Sequence, residues 1–231
     1  MALRYPLWHD KCVVISQCEM TGSCRAPLWY SSDINISGSK ISGVKTLREC
    51  RNISITDSSI LSTEFGWRCS GVTVEKSTLE SEYLFLMSDS IIFDSVTFTG
   101  KYSFQYTENV TVENCTLNTK DAFWHAKHVR VKDSLVKGEY LGWYSDDLLF
   151  ENCVISGTQP FCCCTGLKLI NCRMIDTDLS FEYSDVEVDI NGEILSVKNP
   201  RSGRISADNI GEIILTDDSR YECRCEIILK K

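Results

Sequence analysis

Apolar residues recur along this chain every 19 positions, and the recurrence continues through most of its length. The segment from Asn109 to Leu117, N-V-T-V-E-N-C-T-L, contains the pattern: Val110 and Val112 lie two apart, and Leu117 follows. Residues two apart lie on the same face of a β-strand. The row to which Val110 belongs is Val13, Ile34, Ile53, Val72, Ile91, Val110, Val129, Leu148, Leu167 and Val186.

This period predicts a β-solenoid, an all-β fold in which each coil adds one rung. A helix-turn-helix repeat needs about 33 residues, which is far more than the period allows. In a solenoid, equivalent residues of successive coils stack about 4.8 Å apart. Serine or cysteine recurs between the second and third apolar rows, as a tight corner requires. Ten coils are expected.

The alternative fold is a leucine-rich repeat, whose L-x-L-x-x-N-x-L core resembles V-x-V-x-x-C-x-L. Its period is roughly 20–29 residues, just above the one observed. The leucine that normally stands three places before the core is replaced by small residues such as Cys50, Ser88 and Ala126. Both differences favour the solenoid.

The 231 residues are expected to form one domain, with coils over 1–190 and a C-terminal β-rich cap over 191–231. The repeat changes at Asp185, where Asn191 and Gly192 stand between two apolar runs and predict a hairpin. A cap is expected because solenoids need a polar end. The first coil has no predicted cap, so its free backbone groups would be open to a partner chain.

Charge and cysteine usage narrow the possible partners and the compartment. The net charge is −8 and no basic stripe is present, so nucleic acid is not an expected partner. The chain contains no run of about 18 apolar residues, so no membrane span is predicted. Its first residues lack the apolar core of a signal peptide. Thirteen cysteines at stacked positions predict reduced thiols in a cytoplasmic protein. No histidine spacing or phosphate loop suggests a metal or cofactor, so none is expected.

Two rows of the repeat consist of turn-forming residues. A shared glycine row predicts a turn with positive φ, and a shared Asp/Asn row predicts side chains bonded to neighbouring backbone. The glycine row contains Gly43, Gly100, Gly138 and Gly157, and the second row contains Asp57, Asn114, Asp133, Asn152 and Asn171.

All five tryptophans occupy one position of the repeat. The preceding row contains leucine, glycine and phenylalanine without a charged member, so we predict that it faces the core and that the tryptophans face outward. Exposed aromatic side chains suit stacking on sugar rings or burial in a protein interface. In the alternative, the tryptophans fill the core or lie under loops. The predicted binding stripe is Trp8, Trp29, Trp67, Trp124 and Trp143.

The row after the tryptophans supplies the polar candidates. Glu49 and Arg68 are expected to form a surface salt bridge. His125 could act as a general base, but the repeat places no acidic residue beside it. We therefore predict no catalytic residue. The candidates near the stripe are Glu49, Arg68, Tyr106, His125 and Tyr144.

Several segments resemble the bacterial domain-of-unknown-function family three-seven-three-seven. They are Y-P-L-W-H-D-K from Tyr5, D-A-F-W from Asp121, G-E-Y-L-G-W from Gly138, D-L-S-F-E-Y from Asp178 and K-N-P-R-S-G-R-I from Lys198. The resemblance covers nearly the whole chain and implies a right-handed parallel β-helix of pectin-lyase type. The family has no established activity, so the resemblance implies no catalytic residue. Pectin-lyase-type folds include polysaccharide lyases and hydrolases, which is an analogy of fold alone.

The first functional hypothesis is a non-catalytic binding or self-assembly scaffold. Its partner would be a second copy of the chain, bound through the first coil or the aromatic face, or a carbohydrate. The alternative is a carbohydrate-active enzyme, either a polysaccharide lyase or a glycoside hydrolase. A pair of carboxylates facing an open groove would favour the enzyme.

Overall fold

The computed structural model describes residues 2–230, and all regular secondary structure in this range is β-strand. A first parallel sheet receives one strand from every coil. Its strands are β1 (Lys11–Ser16), β3 (Ser32–Ser37), β5 (Arg51–Thr56), β7 (Ser70–Glu75), β9 (Asp89–Asp94), β11 (Glu108–Glu113), β13 (Lys127–Lys132), β15 (Asp146–Glu151), β17 (Leu167–Ile175), β18 (Asp185–Ile190), β20 (Ser202–Ala207) and β22 (Arg224–Leu229).

A second parallel sheet lies beyond a tight corner, and the end of β17 also belongs to it. Its other strands are β2 (Glu19–Met20), β4 (Lys40–Ile41), β6 (Ser59–Leu61), β8 (Thr78–Glu82), β10 (Thr97–Lys101), β12 (Thr116–Lys120), β14 (Leu135–Lys137) and β16 (Val154–Ser156). A short third pair follows in the C-terminal coils, β19 (Glu193–Lys198) with β21 (Asn209–Ile214).

The register of the first sheet confirms the stacking that the period predicts. Val110 pairs with Ile91 on one side and with Val129 on the other, each 19 residues away. The result is a β-solenoid of about 12 turns, more than the ten expected. The leucine-rich alternative is wrong, because Cys50 and Ala126 are small buried residues at a corner between strands. Right-handedness and the pectin-lyase type stay predictions.

The interior is formed by the predicted apolar rows. Val112 and Leu117 are fully buried, as are Phe93 and Phe98 in the preceding coil. Burying an aliphatic or aromatic side chain of this size contributes about 1.5–3 kcal/mol, so each added coil extends a continuous core. Phe93 and Phe98 both pack against Phe104 from the third segment of the same coil.

The row of small residues forms a hydrogen-bonded ladder at the corner. Ser58 Oγ accepts the backbone N–H of Ser39, 3.1 Å away in the previous coil, and donates to the carbonyl of Thr56 at 2.7 Å. Cysteine can replace serine there: Cys115 Sγ accepts the N–H of Val96 at 3.3 Å. The serines and cysteines therefore satisfy the buried backbone where the chain turns.

The two turn rows have different physical causes. Asp133, Asn152 and Asn171 all have positive φ, and Asn152 Nδ2 donates to Asp133 Oδ1 at 2.9 Å. The bonded partner is thus the neighbouring side chain rather than the neighbouring backbone. In the glycine row only Gly138 (φ +159°) and Gly157 (φ +122°) have positive φ. At Gly100 a Cβ would lie 1.8 Å from the carbonyl oxygen of Ser81, so close approach, not φ, requires glycine.

Residues 191–231 continue the stack as far as the structure describes them. Strand β20 pairs in parallel with β18, and β22 pairs in parallel with β20. The predicted hairpin at Asn191 and Gly192 is wrong, because β18 and β19 flank a corner and pair with different strands. The repeat shortens there, with Val186 opposite Gly203. The predicted cap role of this segment stays a prediction.

Within residues 2–230, no helix has the length and apolar character needed to cross a membrane.

Candidate functional site: the aromatic face

The third segment of each coil is a compact turn and not a strand. In the segment 102–106, Tyr102, Phe104 and Tyr106 have positive φ, and the residues between them do not. The N–H of Tyr102 bonds Lys120 in the next coil, whereas the N–H of Phe104 bonds the previous coil. Segments such as 83–87, 121–125 and 140–144 repeat this geometry. Each segment is therefore held to both neighbours, which offsets the cost of left-handed residues, about 1–2 kcal/mol each.

The prediction that the Leu/Gly/Phe row faces the core is confirmed, although its reasoning was incomplete. Phe104 and Phe123 are fully buried, and their rings stack 5.2 Å apart. Ser103 and Ala122, one residue earlier, are fully buried too. Strand alternation would have placed them outside. The left-handed residues let two successive positions face the interior.

The tryptophans lie outside this interior row and are half-buried. Each indole N–H donates to a backbone carbonyl of the next coil. For example, Trp124 Nε1 bonds the carbonyl of Tyr140 at 2.7 Å, and Trp67 Nε1 bonds that of Tyr83 at 2.8 Å. Gln105, in the same row, bonds Asp121 in the same way. The other indole bonds are Trp8 to Ala26, Trp29 to Lys45 and Trp143 to Gln159.

The indoles stack on one another along the rod. The rings of Trp8 and Trp29 are 5.1 Å apart and 5° from parallel, and those of Trp124 and Trp143 are 5.3 Å apart and 3° from parallel. The Arg48 guanidinium lies 4.6 Å from the ring of Trp29. Parallel rings at this spacing are offset-stacked. Each indole in these pairs therefore has one face covered by its neighbour.

The next row presents exposed rings, which we name the Tyr–His–Tyr ridge: Tyr106, His125 and Tyr144. His125 stacks on Tyr106 at 4.8 Å and on Tyr144 at 5.1 Å, within 11° of parallel. Tyr106 is 52% exposed and Tyr144 is 47% exposed. Within residues 2–230, the His125 imidazole contacts these two rings and has no carboxylate partner. The ridge is built to present ring edges and hydroxyl groups, not to move a proton.

Glu49 and Arg68 belong to the same row but lie apart from the ridge. Arg68 Nη1 is 3.8 Å from Glu49 Oε1, and both side chains are exposed. An exposed pair of this kind contributes about 0–1 kcal/mol. Met87, which is itself exposed, lies between this pair and Tyr106. The structure thus brings together three of the five polar candidates and leaves Glu49 and Arg68 outside.

The register shifts by one residue near the C-terminal end of the aromatic face. Phe181 is fully buried and stacks on Phe161, 20 residues earlier. The repeat of 19 places Phe181 in the tryptophan row and Ser180 in the phenylalanine row. The assignment of Phe181 is wrong, because one extra residue precedes it and brings its ring into the buried row. The shift also leaves the buried hydroxyls of Thr177 and Ser180 without a hydrogen-bond partner in the described structure.

Sequence reasoning missed a polar cluster around the segment K-N-P-R-S-G-R-I. Arg201 Nε donates to Asp185 Oδ1 at 2.7 Å, and Ser202 also donates to Asp185. The Arg201 hydrogen bond holds the pKa of the Asp185 carboxyl below its usual value. Lys198 pairs with Glu182 at 2.9 Å. The segment is a sequence motif of the family resemblance, but its residue types do not indicate which side chains 16 residues earlier they contact.

No group of three His, Cys, Asp or Glu side chains within residues 2–230 is arranged to hold a metal ion. The thirteen cysteines are free thiols. Burial raises the pKa of Cys115 to about 11 and that of Cys164 to about 12, so both are protonated at neutral pH. A metal ligand would have to be the thiolate.

The family model described as "Protein of unknown function (DUF3737)" matches residues 1–228. The chain belongs to this family. The family description assigns no activity, so it adds no functional residue to those described above. A search of curated proteins finds no match.

Several solved structures match the chain at low similarity. The plasmid-mediated fluoroquinolone resistance protein QnrB1 is 9% identical over 90% of this chain and 92% of its own, with a TM-score of 0.27. The periplasmic alginate epimerase AlgG is 9% identical over 92% and 75%, with a TM-score of 0.30. HetL, a pentapeptide repeat protein from Nostoc, is 9% identical over 79% and 90%, with a TM-score of 0.25. Similarity at this level supports no statement about the function of this DUF3737 chain.

Proposed function

We propose that the protein is a non-catalytic binding scaffold that self-associates through the Tyr–His–Tyr ridge. The observation that carries the proposal is the rigid line of three exposed rings, each stacked on the next. Tyrosine and other aromatic residues are enriched in protein interfaces because they bury a large area at a small entropic cost. Stacking already restricts the motion of these rings, so little conformational entropy remains to be lost on binding.

The geometry favours a protein partner over a sugar. A sugar ring stacks on the face of an aromatic side chain, but His125 has both faces covered by Tyr106 and Tyr144. Trp124 and Trp143 each cover one face of the other, and their N–H groups already bond backbone carbonyls. The exposed edges of the ridge rings suit edge-to-face packing against other aromatic rings.

A second copy of this chain is the occupant that fits the order of the ridge. The sequence of side chains, Tyr106, His125 and Tyr144, is the same in both directions. A two-fold axis at His125 would place Tyr106 against Tyr144 of a second copy, as an isologous dimer requires. The phenols can donate hydrogen bonds and the imidazole can accept them. The neighbouring Cys163 and partial burial raise the pKa of Tyr144, so its phenol keeps its proton at neutral pH.

Light scattering tests the proposal directly. Wild type should be a dimer at micromolar concentration, and a Tyr106→Ser, Tyr144→Ser variant should be a monomer with unchanged circular dichroism. Tyr5→Ser is the matched control, because Tyr5 is equally exposed but lies on the first coil. Dimers that survive the double variant and are lost with Tyr5→Ser would move the interface to the first coil. A monomeric wild type would end the self-association proposal.

Cross-linking tests the two-fold axis itself. A His125→Cys variant, in a background in which the exposed Cys12 and Cys18 are serine, should form an intermolecular disulfide on mild oxidation. Lys127→Cys, exposed two residues away at the start of β13, should not. Equal cross-linking of both variants would contradict a two-fold axis at His125.

A cytoplasmic location is part of the proposal. All thirteen cysteines are free thiols, and several are buried. Cytosolic reductants keep thiols in this state. The alternative, a carbohydrate-active enzyme, calls for two free carboxylates beside an open groove. Release of reducing ends or unsaturated products from a polysaccharide panel by the purified protein would favour that alternative.

A further inference from the structure

A polar groove runs along the outward face of the second sheet, on a different part of the coil from the ridge. It consists of three adjoining clefts of about 280, 440 and 590 Å³ that share lining residues across β6 to β16. Thr99 and Asn118 line its middle and are exposed, and Ser156 lines one end. The groove bends at the row that contains Gly100, where a side chain has no room.

One wall of the groove carries an unusual order of charges. The row reads Glu82, Lys101, Lys120 and Glu139 on four successive coils. Lys101 and Lys120 are direct partners in the register of β10 and β12. Lys101 Nζ turns to Glu82 Oε1 at 3.1 Å, and Lys120 Nζ turns to Glu139 Oε2 at 2.8 Å. Two ion pairs therefore stand back to back, with the two lysines adjacent in the centre.

This order of charges places two lysines on neighbouring strands, with both of their glutamate partners on the outer sides. Like charges on directly opposite residues of neighbouring strands are destabilising, and alternating charges would avoid the contact. Hydrogen bonding to Glu82 raises the pKa of Lys101, and hydrogen bonding to Glu139 raises that of Lys120, so both ammonium groups keep their charge. Each ammonium has three donors. In the described structure each pairs with one carboxylate and faces one tyrosine ring, Tyr102 at 5.5 Å for Lys101 and Tyr140 at 5.2 Å for Lys120. A ligand carboxylate placed between the two ammonium groups would gain charge-assisted hydrogen bonds and relieve the repulsion.

The groove floor adds a second requirement for the ligand. In the floor row Thr99 and Asn118 are neighbours at the strand spacing of about 4.8 Å, and Lys137 separates Asn118 from Ser156. The hydroxyl and amide groups of this floor form hydrogen bonds with hydroxyl groups of a ligand that follows the rod. Glu82 and Glu139 bound the basic centre on either side, and a polymer with a charge on every unit would meet them. A nucleic acid therefore fits poorly, and a short acidic sugar chain fits well.

We propose that this groove binds an acidic oligosaccharide, with one sugar carboxylate held between Lys101 and Lys120 and sugar hydroxyls on the threonine and asparagine floor. The site is independent of the ridge, and its occupancy does not need the dimer. The central carboxylate supplies most of the affinity. The polar floor supplies the preference for a sugar over a simple organic acid.

Calorimetric titration with a short cello-oligosaccharide that carries a single internal glucuronate, the mono-uronate probe, is the primary test. Wild type should bind it, and affinity should fall as salt rises because the lysines are exposed. A Lys101→Gln, Lys120→Gln variant should bind at least tenfold more weakly. Lys132→Gln, at the end of β13 and outside the groove, should bind like wild type. Circular dichroism and thermal melting of each variant establish that the fold is retained.

A gain of binding provides a readout that a structural role would not produce. Glu82→Gln releases Lys101 from its partner, so the variant should bind the mono-uronate probe about threefold more tightly, although it loses an ion pair. Sodium acetate and a neutral cello-oligosaccharide of equal length complete the panel. The proposal is overturned if the mono-uronate probe does not bind, if the double lysine variant binds it normally, if the neutral sugar binds equally well, or if acetate alone binds as tightly.

Discussion

The indole Nε1 of Trp143 donates a hydrogen bond to the carbonyl oxygen of Gln159 in the next coil, at 2.7 Å. All five tryptophans make a bond of this kind, so the aromatic column ties consecutive coils together. The column is first a structural element. Any ligand or partner therefore meets a surface whose N–H groups are already used.

Replacing Trp143 with phenylalanine should lower the free energy of unfolding by about 1–2 kcal/mol. The ring still stacks on Trp124, but the carbonyl of Gln159 loses its donor, and an intramolecular hydrogen bond of this kind contributes about 0.5–1.5 kcal/mol. Urea unfolding followed by circular dichroism measures the change. Tyr106→Phe is the control, because that exposed ring lies outside the column. It should stay within about 0.5 kcal/mol of wild type, and equal losses in both variants would contradict the structural role of the indole bond.

The repeat could be predicted from sequence where each rung faces the same surroundings. Val110 and Val129 pair as the period predicts because every coil repeats the same buried contacts. The left-handed conformation of Phe104 could not be predicted from the sequence, because a bulky apolar residue rarely adopts positive φ. Phe181 was misplaced because one inserted residue shifts a register that the other coils keep. A spacing of 19 residues is enough to place Lys101 next to Lys120, but their ion pairs with Glu82 and Glu139 are visible only in the structure.

The serine ladder at the corner predicts an asymmetry between two small substitutions. Ser58→Ala leaves the buried N–H of Ser39 without an acceptor and should cost about 1–3 kcal/mol of unfolding free energy. Ser58→Cys should cost less than about 1 kcal/mol, because Cys115 Sγ already accepts a backbone N–H at the equivalent position. Thermal unfolding of the two variants side by side measures the difference. A cysteine variant as unstable as the alanine variant would show that volume, not hydrogen bonding, decides this row.

Asn152 separates backbone strain from side-chain bonding in the turn ladder. Its φ is +53°, and its amide joins Asp133 to Asn171 through bonds of 2.9 and 2.6 Å. Asn152→Gly and Asn152→Ala both remove these bonds, but only alanine keeps a Cβ in the left-handed region. The alanine variant should therefore be less stable than the glycine variant by about 0.5–1 kcal/mol, after the greater unfolded-state freedom of glycine is counted. A glycine variant less stable than alanine would contradict the assigned backbone conformation.

Thiol labelling should divide the cysteines by exposure. Iodoacetamide reacts with thiolates, and each unit by which a pKa is raised lowers the thiolate fraction tenfold. With the pKa of Cys115 near 11 and that of Cys164 near 12 through burial, both should resist labelling at pH 8 in the folded protein. The exposed Cys12 and Cys18 should be labelled first. Peptide mass spectrometry reads out each site, with a guanidinium-unfolded sample as the fully reactive control. Rapid labelling of Cys164 in the folded protein would contradict its burial.

The pair formed by Asp185 and Arg201 should give stability a pH dependence of known sign. The Arg201 hydrogen bonds lower the pKa of Asp185 in the folded protein from its ordinary value of 3.8. A group with a lowered folded pKa binds more protons when unfolded, so its contribution is present above about pH 4 and is lost as the pH falls through the folded value. At pH 7, Asp185→Asn should be less stable by about 1–2 kcal/mol, a modest figure because the pair is partly exposed to solvent.

The difference in unfolding free energy between wild type and Asp185→Asn should narrow as the pH is lowered below about 4. There the wild-type carboxylate takes up a proton and loses its charge. Urea unfolding at pH 7, 5 and 3 measures the gap. The control is Asp10→Asn, at an exposed position before β1. It should have the same unfolding free energy as wild type at each of these pH values. A gap for Asp185→Asn that stays constant down to pH 3 would mean that the asparagine disturbs packing, and that the charge of Asp185 does not hold Arg201 against the coil.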